Sequence, residues 1–146
     1  MTTTNNESIR SLRVGIVGGG QGAFIGAVHR IAAELDGQAR VVAGALSSDP
    51  QRSRESASAW GLDRSYDSFQ AMAEAESRLE NGIDFVIVAA PNHLHAPVAI
   101  AFLKAGIHVV CDKPLAANLE QAHEIEQFSS LRVSQLRHNH PLLHWK

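Results

Sequence analysis

Leu12-Arg13-Val14-Gly15-Ile16-Val17-Gly18-Gly19-Gly20-Gln21-Gly22-Ala23-Phe24-Ile25-Gly26 is the stretch that decides the fold. Its first half is a short apolar run holding Val14, Ile16 and Val17. A run of that kind reads as a strand buried on both faces. Its second half is a glycine cluster that turns the chain into a helix. Gly18 and Gly20 have the spacing of a dinucleotide fingerprint. The first glycine makes a tight turn, and the second lets the backbone approach a pyrophosphate. The helix N-terminus then offers free N–H groups and a partial positive charge. The third small position has two candidates: Ala23 in the standard register, or Gly26 if the loop carries a three-residue insertion. A glycine-rich turn by itself also reads as a plain βα loop. Its place directly after the first strand of a βαβ unit carries the cofactor reading.

Downstream, strands and helices alternate. Gly22–Leu35 puts Ile25, Val28, Ile31, Ala32 and Leu35 at helical spacing, and Asp36-Gly37 closes that helix. Arg40–Leu46 is the second strand. Asp49-Pro50 supplies a cap and a proline at the first helical position, opening a helix to about Trp60. A short strand is expected near Arg64–Tyr66. Asp67 is expected to cap a helix carrying Phe69, Met72, Ala73 and Leu79, which Gly82 ends. Asp84–Ala90 is a strong strand, His95–Lys104 a helix stopped by Gly106, and Ile107–Cys111 a strand. Asn118 starts a last helix to about Phe128. Continuous apolar strands between helices mean an α/β, doubly wound parallel sheet covered on both faces. The domain is expected over 12–130, after an irregular N-terminal tail over 1–11. Residues 131–146 are expected to be an irregular tail, with Val133 and His138-Asn139 a remnant of a further strand.

Composition narrows the class. The chain has 146 residues with Lys plus Arg 13 and Asp plus Glu 15, a formal net charge of −2. A basic excess, the footprint of nucleic-acid binders, is missing. Hydrophobic residues make up 45% and charged residues 19%, a globular balance. The lone Cys111 excludes an internal disulfide and fits a reducing compartment, and it reads as a small buried residue. Apolar runs such as Phe85–Pro91 are too short for a bilayer, and Met1–Arg10 lacks the apolar core of a secretory signal. A soluble cytoplasmic chain, with no membrane and no nucleic-acid partner, is expected.

Candidate chemistry sits at the strand ends. Ser47 or Ser48 ends the second strand, with Arg52 one turn on. A neutral residue plus an arginine leans to NADP over NAD. Asp49 reads as the helix cap rather than a ribose ligand, and Arg52 as a solvated helix residue is the alternative. The third strong strand delivers Pro91-Asn92-His93-Leu94-His95. Asn92 and His93 are placed to line the nicotinamide side of a cleft; alternatively Asn92 serves local backbone and His95 caps the next helix. The following strand ends in Cys111-Asp112-Lys113-Pro114. Proline restricts the backbone of Lys113, whose charge would orient a substrate hydroxyl and favour loss of its proton. A surface lysine paired with Asp112 is the alternative. No metal site is expected: His138, His140 and His144 read as tail residues.

The glycine turn with His29, then Pro91-Asn92-His93-Leu94-His95, then Asp112-Lys113-Pro114, resembles the N-terminal domain of the Gfo/Idh/MocA oxidoreductases. The resemblance covers about Leu12 to Phe128. It implies NAD or NADP as cofactor. Gly18 and Gly20, with the amides of Gln21, Gly22 and Ala23, would hold the pyrophosphate. Pro91, Asn92 and His93 would lie along the cofactor, with His95 in the same set and Ser47 and Arg52 at the ribose. Lys113 would face the substrate, and the Lys113–Pro114 peptide is expected to be cis. Asp112 stands where many members have Glu. The chemistry implied is hydride transfer between nicotinamide and a sugar or polyol carbinol. Members continue into a second domain that forms the other wall of the cleft. A chain of this length therefore reads as a truncated member, inactive alone and prone to self-association. The alternative is a non-catalytic NAD(P)-binding module or an inactive fragment.

Overall fold

The computed structural model describes residues 10–139, with side chains through Ser130. Five strands form one parallel sheet: β1 (Leu12–Gly18), β2 (Ala39–Ala45), β3 (Arg64–Ser65), β4 (Phe85–Ala89) and β5 (His108–Cys111). Their spatial order is β3-β2-β1-β4-β5. The chain winds outward from β1 in one direction, then returns and winds outward in the other. The carboxyl ends of β1 and β4 flank the point of reversal, where such sheets bind ligands. The doubly wound parallel sheet expected from the strand pattern is therefore the fold.

Side-chain alternation explains the apolar runs. Val14 and Ile16 of β1 and Ile87 of β4 join Val41, Leu46 and Ala57 on one face. Val17, Val86 and Val88 join Met72, Val98 and Phe102 on the other. Helices α1 (Phe24–Glu34) and α2 (Pro50–Ala59) cover the first face, α3 (Phe69–Arg78) and α4 (His95–Ala105) the second. The helix α5 (Leu119–Asn139) packs on α4 through Ile125 and Phe128. Gly106, at φ 88, ends α4 in the left-handed conformation that glycine adopts without strain.

Several boundaries differ from expectation. Ser68, not Asp67, caps α3: its hydroxyl accepts the Ala71 N–H at 3.1 Å, while Asp67 faces Arg54 at 2.7 Å. Leu79 lies beyond α3, in extended backbone, because the chain turns back there. A Cβ on Gly82 would sit 2.1 Å from the Glu76 carbonyl. The last helix passes Phe128 and continues to Asn139, so the first part of the expected irregular tail is helical. No glycine or proline interrupts the chain between Pro114 and Pro141. Residues 1–9 and 140–146, with the tail expected before the domain and His140 and His144, lie outside the described residues.

The apolar face expected on α1 is mostly not buried. Gly26 is its one buried residue, and Phe24 and Leu35 are each 82% exposed. Gly26 brings the helix backbone against the sheet, and no described element covers the apolar residues on its outer side. The adjoining face of β5 is open as well: His108 and Val110 are exposed, whereas Val109 and Cys111 pack toward α4.

One buried ionic network braces the second face. The Glu76 side chain is 0% exposed. Its carboxylate accepts two bonds from Arg64 (2.7 and 3.0 Å), one from the Tyr66 hydroxyl (2.8 Å) and one from the Ile83 N–H (3.0 Å). It joins β3 to the approach to β4. Burial, then the bond to Glu76, push the Tyr66 phenol up to about 12. Glu76→Ala should lower stability by about 3 kcal/mol, because Arg64 and Tyr66 lose their partner inside the fold. Urea unfolding with an unchanged slope checks it. Tyr66 is the chain's one tyrosine. Its tyrosinate absorbance should therefore rise near pH 12 in the native protein and near the ordinary ~10 when unfolded. Since the unfolded form loses its proton first, Tyr66 contributes stability below that ordinary value, and this is lost as pH rises toward 12. Coincident native and denatured titrations would refute the burial argument.

Candidate functional site

A cleft of about 600 Å³ opens at the carboxyl ends of β1, β2 and β4. Its floor is the glycine turn. Gly18, Gly19 and Gly22 all have positive φ (78, 68 and 85). The ambiguity over the third small position is resolved in favour of Gly26. A Cβ there would lie 2.1 Å from the Gly19 carbonyl oxygen and 2.5 Å from its Cα. Gly26 thus performs the close helix–strand packing, and the loop carries its extra residues between Gly20 and Gly26. Ala23 is the N-cap of α1 and supplies no side-chain cap, so the helix N-terminus keeps unsatisfied amides facing outward.

The turn is held from below by β2 and α2. Gly20 N–H donates to the Leu46 carbonyl at 3.2 Å, and Gln21 N–H to Ser56 Oγ at 3.0 Å. A Cβ on Gly20 would meet those same two oxygens at 2.8 Å. Its smoothness therefore serves the fit against its own protein first. Gln21 spends its amide on Ser56 and is not a free phosphate donor. Ser53, on the same face of α2, accepts the Leu46 N–H at 3.0 Å and donates to the Tyr66 carbonyl at 3.0 Å.

Of the residues singled out from sequence, Gly18, Gly20, Gln21, Ala23, Ser47, Arg52, Pro91 and His93 line the cleft. Asp49 caps α2, accepting the Arg52 N–H at 2.9 Å, and its own N–H donates to Ser47 Oγ at 3.1 Å. Arg52 is exposed at the rim. Gly22, Asn92 and Lys113 stand outside the lining. Asn92 opens a 3₁₀ turn (Asn92–Leu94) in which Leu94 N–H donates to the Pro91 carbonyl at 2.8 Å. His95 requires correction as a cofactor-lining residue. It is 1% exposed, and both ring nitrogens face backbone carbonyls, Ala90 O at 2.8 Å and Pro114 O at 2.6 Å. Nothing of the ring is left for a ligand.

Sequence reading missed Ser56 and the group Asp67, Ser68, Phe69 and Gln70, which form the cleft wall beyond β3. The rule that ligands sit at strand carboxyl ends pointed there, but a two-residue strand gave little signal. On the other side of β4, Asp112 N–H donates to the Val88 carbonyl at 3.1 Å, and Asp112 Oδ1 accepts the Lys113 N–H at 2.8 Å. The Lys113 amide, with a smaller contribution from His29, holds the Asp112 carboxyl below its ordinary range. Burial, reinforced by Asp112, pushes the Cys111 thiol up to about 11, so it is protonated and unreactive near neutrality. The Lys113–Pro114 peptide is cis. Among the described residues no three His, Cys, Asp or Glu side chains gather as a metal site, and no helix is long and apolar enough to cross a membrane.

Comparison with known proteins agrees with this geometry. The model of the oxidoreductase family, NAD-binding Rossmann fold (Gfo/Idh/MocA), matches residues 12–135. An oxidoreductase from Sinorhizobium meliloti is 50% identical, with a TM-score of 0.78 over 83% of this chain and 34% of that one. An inositol dehydrogenase homologue from Azotobacter vinelandii, solved with NADH and myo-inositol, is 40% identical, with a TM-score of 0.82 over 85% of this chain and 33% of that one. The levoglucosan dehydrogenase of Pseudarthrobacter phenanthrenivorans is 32% identical over 121 residues, covering 78% of this chain and 29% of that protein. The chain spans about a third of the length of these relatives. It belongs to the Gfo/Idh/MocA oxidoreductase family, of which the part described is the NAD-binding Rossmann domain.

Proposed function

We propose that this domain serves an oxidoreductase that moves hydride between a nicotinamide dinucleotide and a carbinol carbon of a sugar or polyol. The observation that carries the reading is the glycine turn clamped by Gly26, opening on the same sheet edge as Lys113. The residues fit the cofactor. Positive-φ glycines and the uncapped α1 N-terminus form a cradle of the kind that accepts a pyrophosphate. Phe69 and Gln70 offer a wall for the adenine end, and Pro91 and His93 line the way toward the nicotinamide end. When bound, the nicotinamide supplies the hydride donor or acceptor. Lys113 donates a hydrogen bond to the substrate hydroxyl oxygen and steadies the charge that develops there as hydride leaves, while the hydroxyl proton passes to a base on the facing wall of the cleft. The substrate class rests on the relatives that act on levoglucosan or hold myo-inositol.

The same reading assigns NADP an affinity at least equal to that of NAD. Asp49 is committed to the helix cap, so no carboxylate ends β2 toward the ribose, and Arg52 stands free at the rim. A single free thiol, Cys111, fits residence in the cytoplasm. The exposed Phe24 and Ile31 of α1, with Leu35 at its C-cap, favour self-association of the 146-residue chain.

Three measurements bear on this. Gly26→Ala should weaken NADH at least tenfold, about 1.4 kcal/mol, because α1 must lift from Gly19. Gly37→Ala, at a positive-φ glycine remote from the turn with nothing within 4 Å of the added Cβ, should leave NADH binding unchanged at a backbone cost of ~1–2 kcal/mol. Equal NADH affinities for the parent and both variants by calorimetry would remove the cradle. Arg52→Ala should weaken NADPH at least fivefold, about 1 kcal/mol, and leave NADH unchanged, since only the former carries a phosphate for the guanidinium fork. Equal losses for both cofactors would sink the assignment of Arg52. Size-exclusion chromatography should show species larger than a monomer, returning to monomer in the double variant Ile31→Lys, Leu35→Lys. A parent chain that elutes as a monomer throughout contradicts the self-association.

A further inference from the structure

We propose that His95 is a positioning residue: one buried imidazole ties the turn that carries Lys113 to the turn that carries Pro91–His93. The proposal rests on the functional reading above, in which Lys113 hydrogen-bonds the substrate hydroxyl. His95 is the first residue of α4 and is 1% exposed. Nδ1 lies 2.6 Å from the Pro114 carbonyl oxygen, and Nε2 lies 2.8 Å from the Ala90 carbonyl oxygen. Carbonyl oxygens only accept, so both contacts are hydrogen bonds only when both ring nitrogens donate. The imidazolium form alone does that.

The two partners belong to different strands. Ala90 directly follows β4, lines the cleft and precedes the Pro91–His93 turn. Pro114 directly follows Lys113, beyond β5. The hydrogen bonds that grip Lys113 itself come from its upstream neighbour Asp112, while further downstream Ala116 packs against α4 and α5. Asp112 N–H is bonded to Val88, its Oδ1 accepts the Lys113 N–H, and its Oδ2 lies 3.5 Å from His29 Nε2. His95 holds the downstream side. Among the described residues the histidines within 4.0 Å of a carboxylate are His29 and His123, so no carboxylate shares the His95 ring. His93, Asp112 and Lys113 lie on the two turns being joined, Cys111 on β5, and His29 reaches Asp112 from α1. With the ring in place, the separation between the cofactor edge at Ala90 and the Lys113 backbone is fixed by protein contacts alone.

The test uses the full chain labelled with ¹⁵N-histidine, without cofactor and near neutral pH. One of the eight histidines should show two slowly exchanging ring N–H protons, and that signal should be missing in His95→Phe. A single ring N–H at His95 in the parent overturns the double tie, whether or not the Phe variant folds. The second readout is the Lys113 amine. The lysines are Lys104, Lys113 and Lys146, so ¹³C-dimethylated signals are assigned with Lys113→Arg. In His95→Phe, which keeps the ring but has no donors, the Lys113 signal should move by more than its linewidth while Lys104 stays in place. His95→Gln, which restores N–H donors, should return it toward the parent position. A Lys113 signal unmoved by His95→Phe overturns the proposal, as does one that Gln fails to restore. NADH titration of the parent is run separately. Its failure counts against the proposed function, while the histidine and lysine signals still decide the tie.

Discussion

The carboxyl edge of the sheet depends on one contact without side chains, the approach of α1 to β1 at Gly26 and Gly19. With even a methyl group there, the helix would collide with the Gly19 backbone. Because the helix lies so close, the turn between them must reverse within a few residues. That is why Gly18, Gly19 and Gly22 take positive φ, a region that costs other residues roughly 1–2 kcal/mol each. The same closeness points the α1 N-terminus along the edge where β1 and β4 diverge. The cradle is thus a packing result before it is a binding feature.

Below this turn, α2 works through hydroxyls rather than hydrocarbon. Its buried residues are Ser53, Ser56 and Ala57. Ser53 satisfies backbone groups of Leu46 and Tyr66, and Ser56 satisfies the Gln21 amide. Strand ends in a parallel sheet leave backbone groups without ladder partners, and buried ones must be paired. Two serines one helical turn apart do this for β2, for the glycine turn and for the segment after β3. Glu76 does the corresponding work on the opposite face, pairing Arg64, Tyr66 and Ile83.

The structure is asymmetric in what it covers. The α3–α4 face is packed, and α5 adds a further layer through Ile125. The α1 face is closed over β1 and β2 but open along the outside of α1 and over His108 and Val110. The open side adjoins the turn of Asp112 and Lys113, where His29 reaches from α1 toward Asp112. The cleft, the Lys113 turn and the uncovered apolar surface therefore meet along one edge.

The fold class was legible in the residues themselves. Apolar runs such as Val14–Val17 and Phe85–Ala89, separated by capped helices, admit few arrangements other than a parallel sheet, and Asp49-Pro50 and Gly106 marked helix ends where they occur. The glycine spacing located the turn, because glycine is demanded where the backbone itself is crowded. What sequence left open was which small residue made the contact, since Ala23 and Gly26 both fit a spacing rule. Only the position of Gly19 in space decided for Gly26. His95 looked like a ligand for the same reason: its type and place at a strand end suit ligand binding, while its actual partners, Ala90 and Pro114, come from two different turns. The apolar stripe of α1 spoke for burial, yet burial depends on what packs opposite. Local pattern determines which element forms and where it stops. Which groups meet across elements is settled by the docking of backbones, which no single stretch of chain contains.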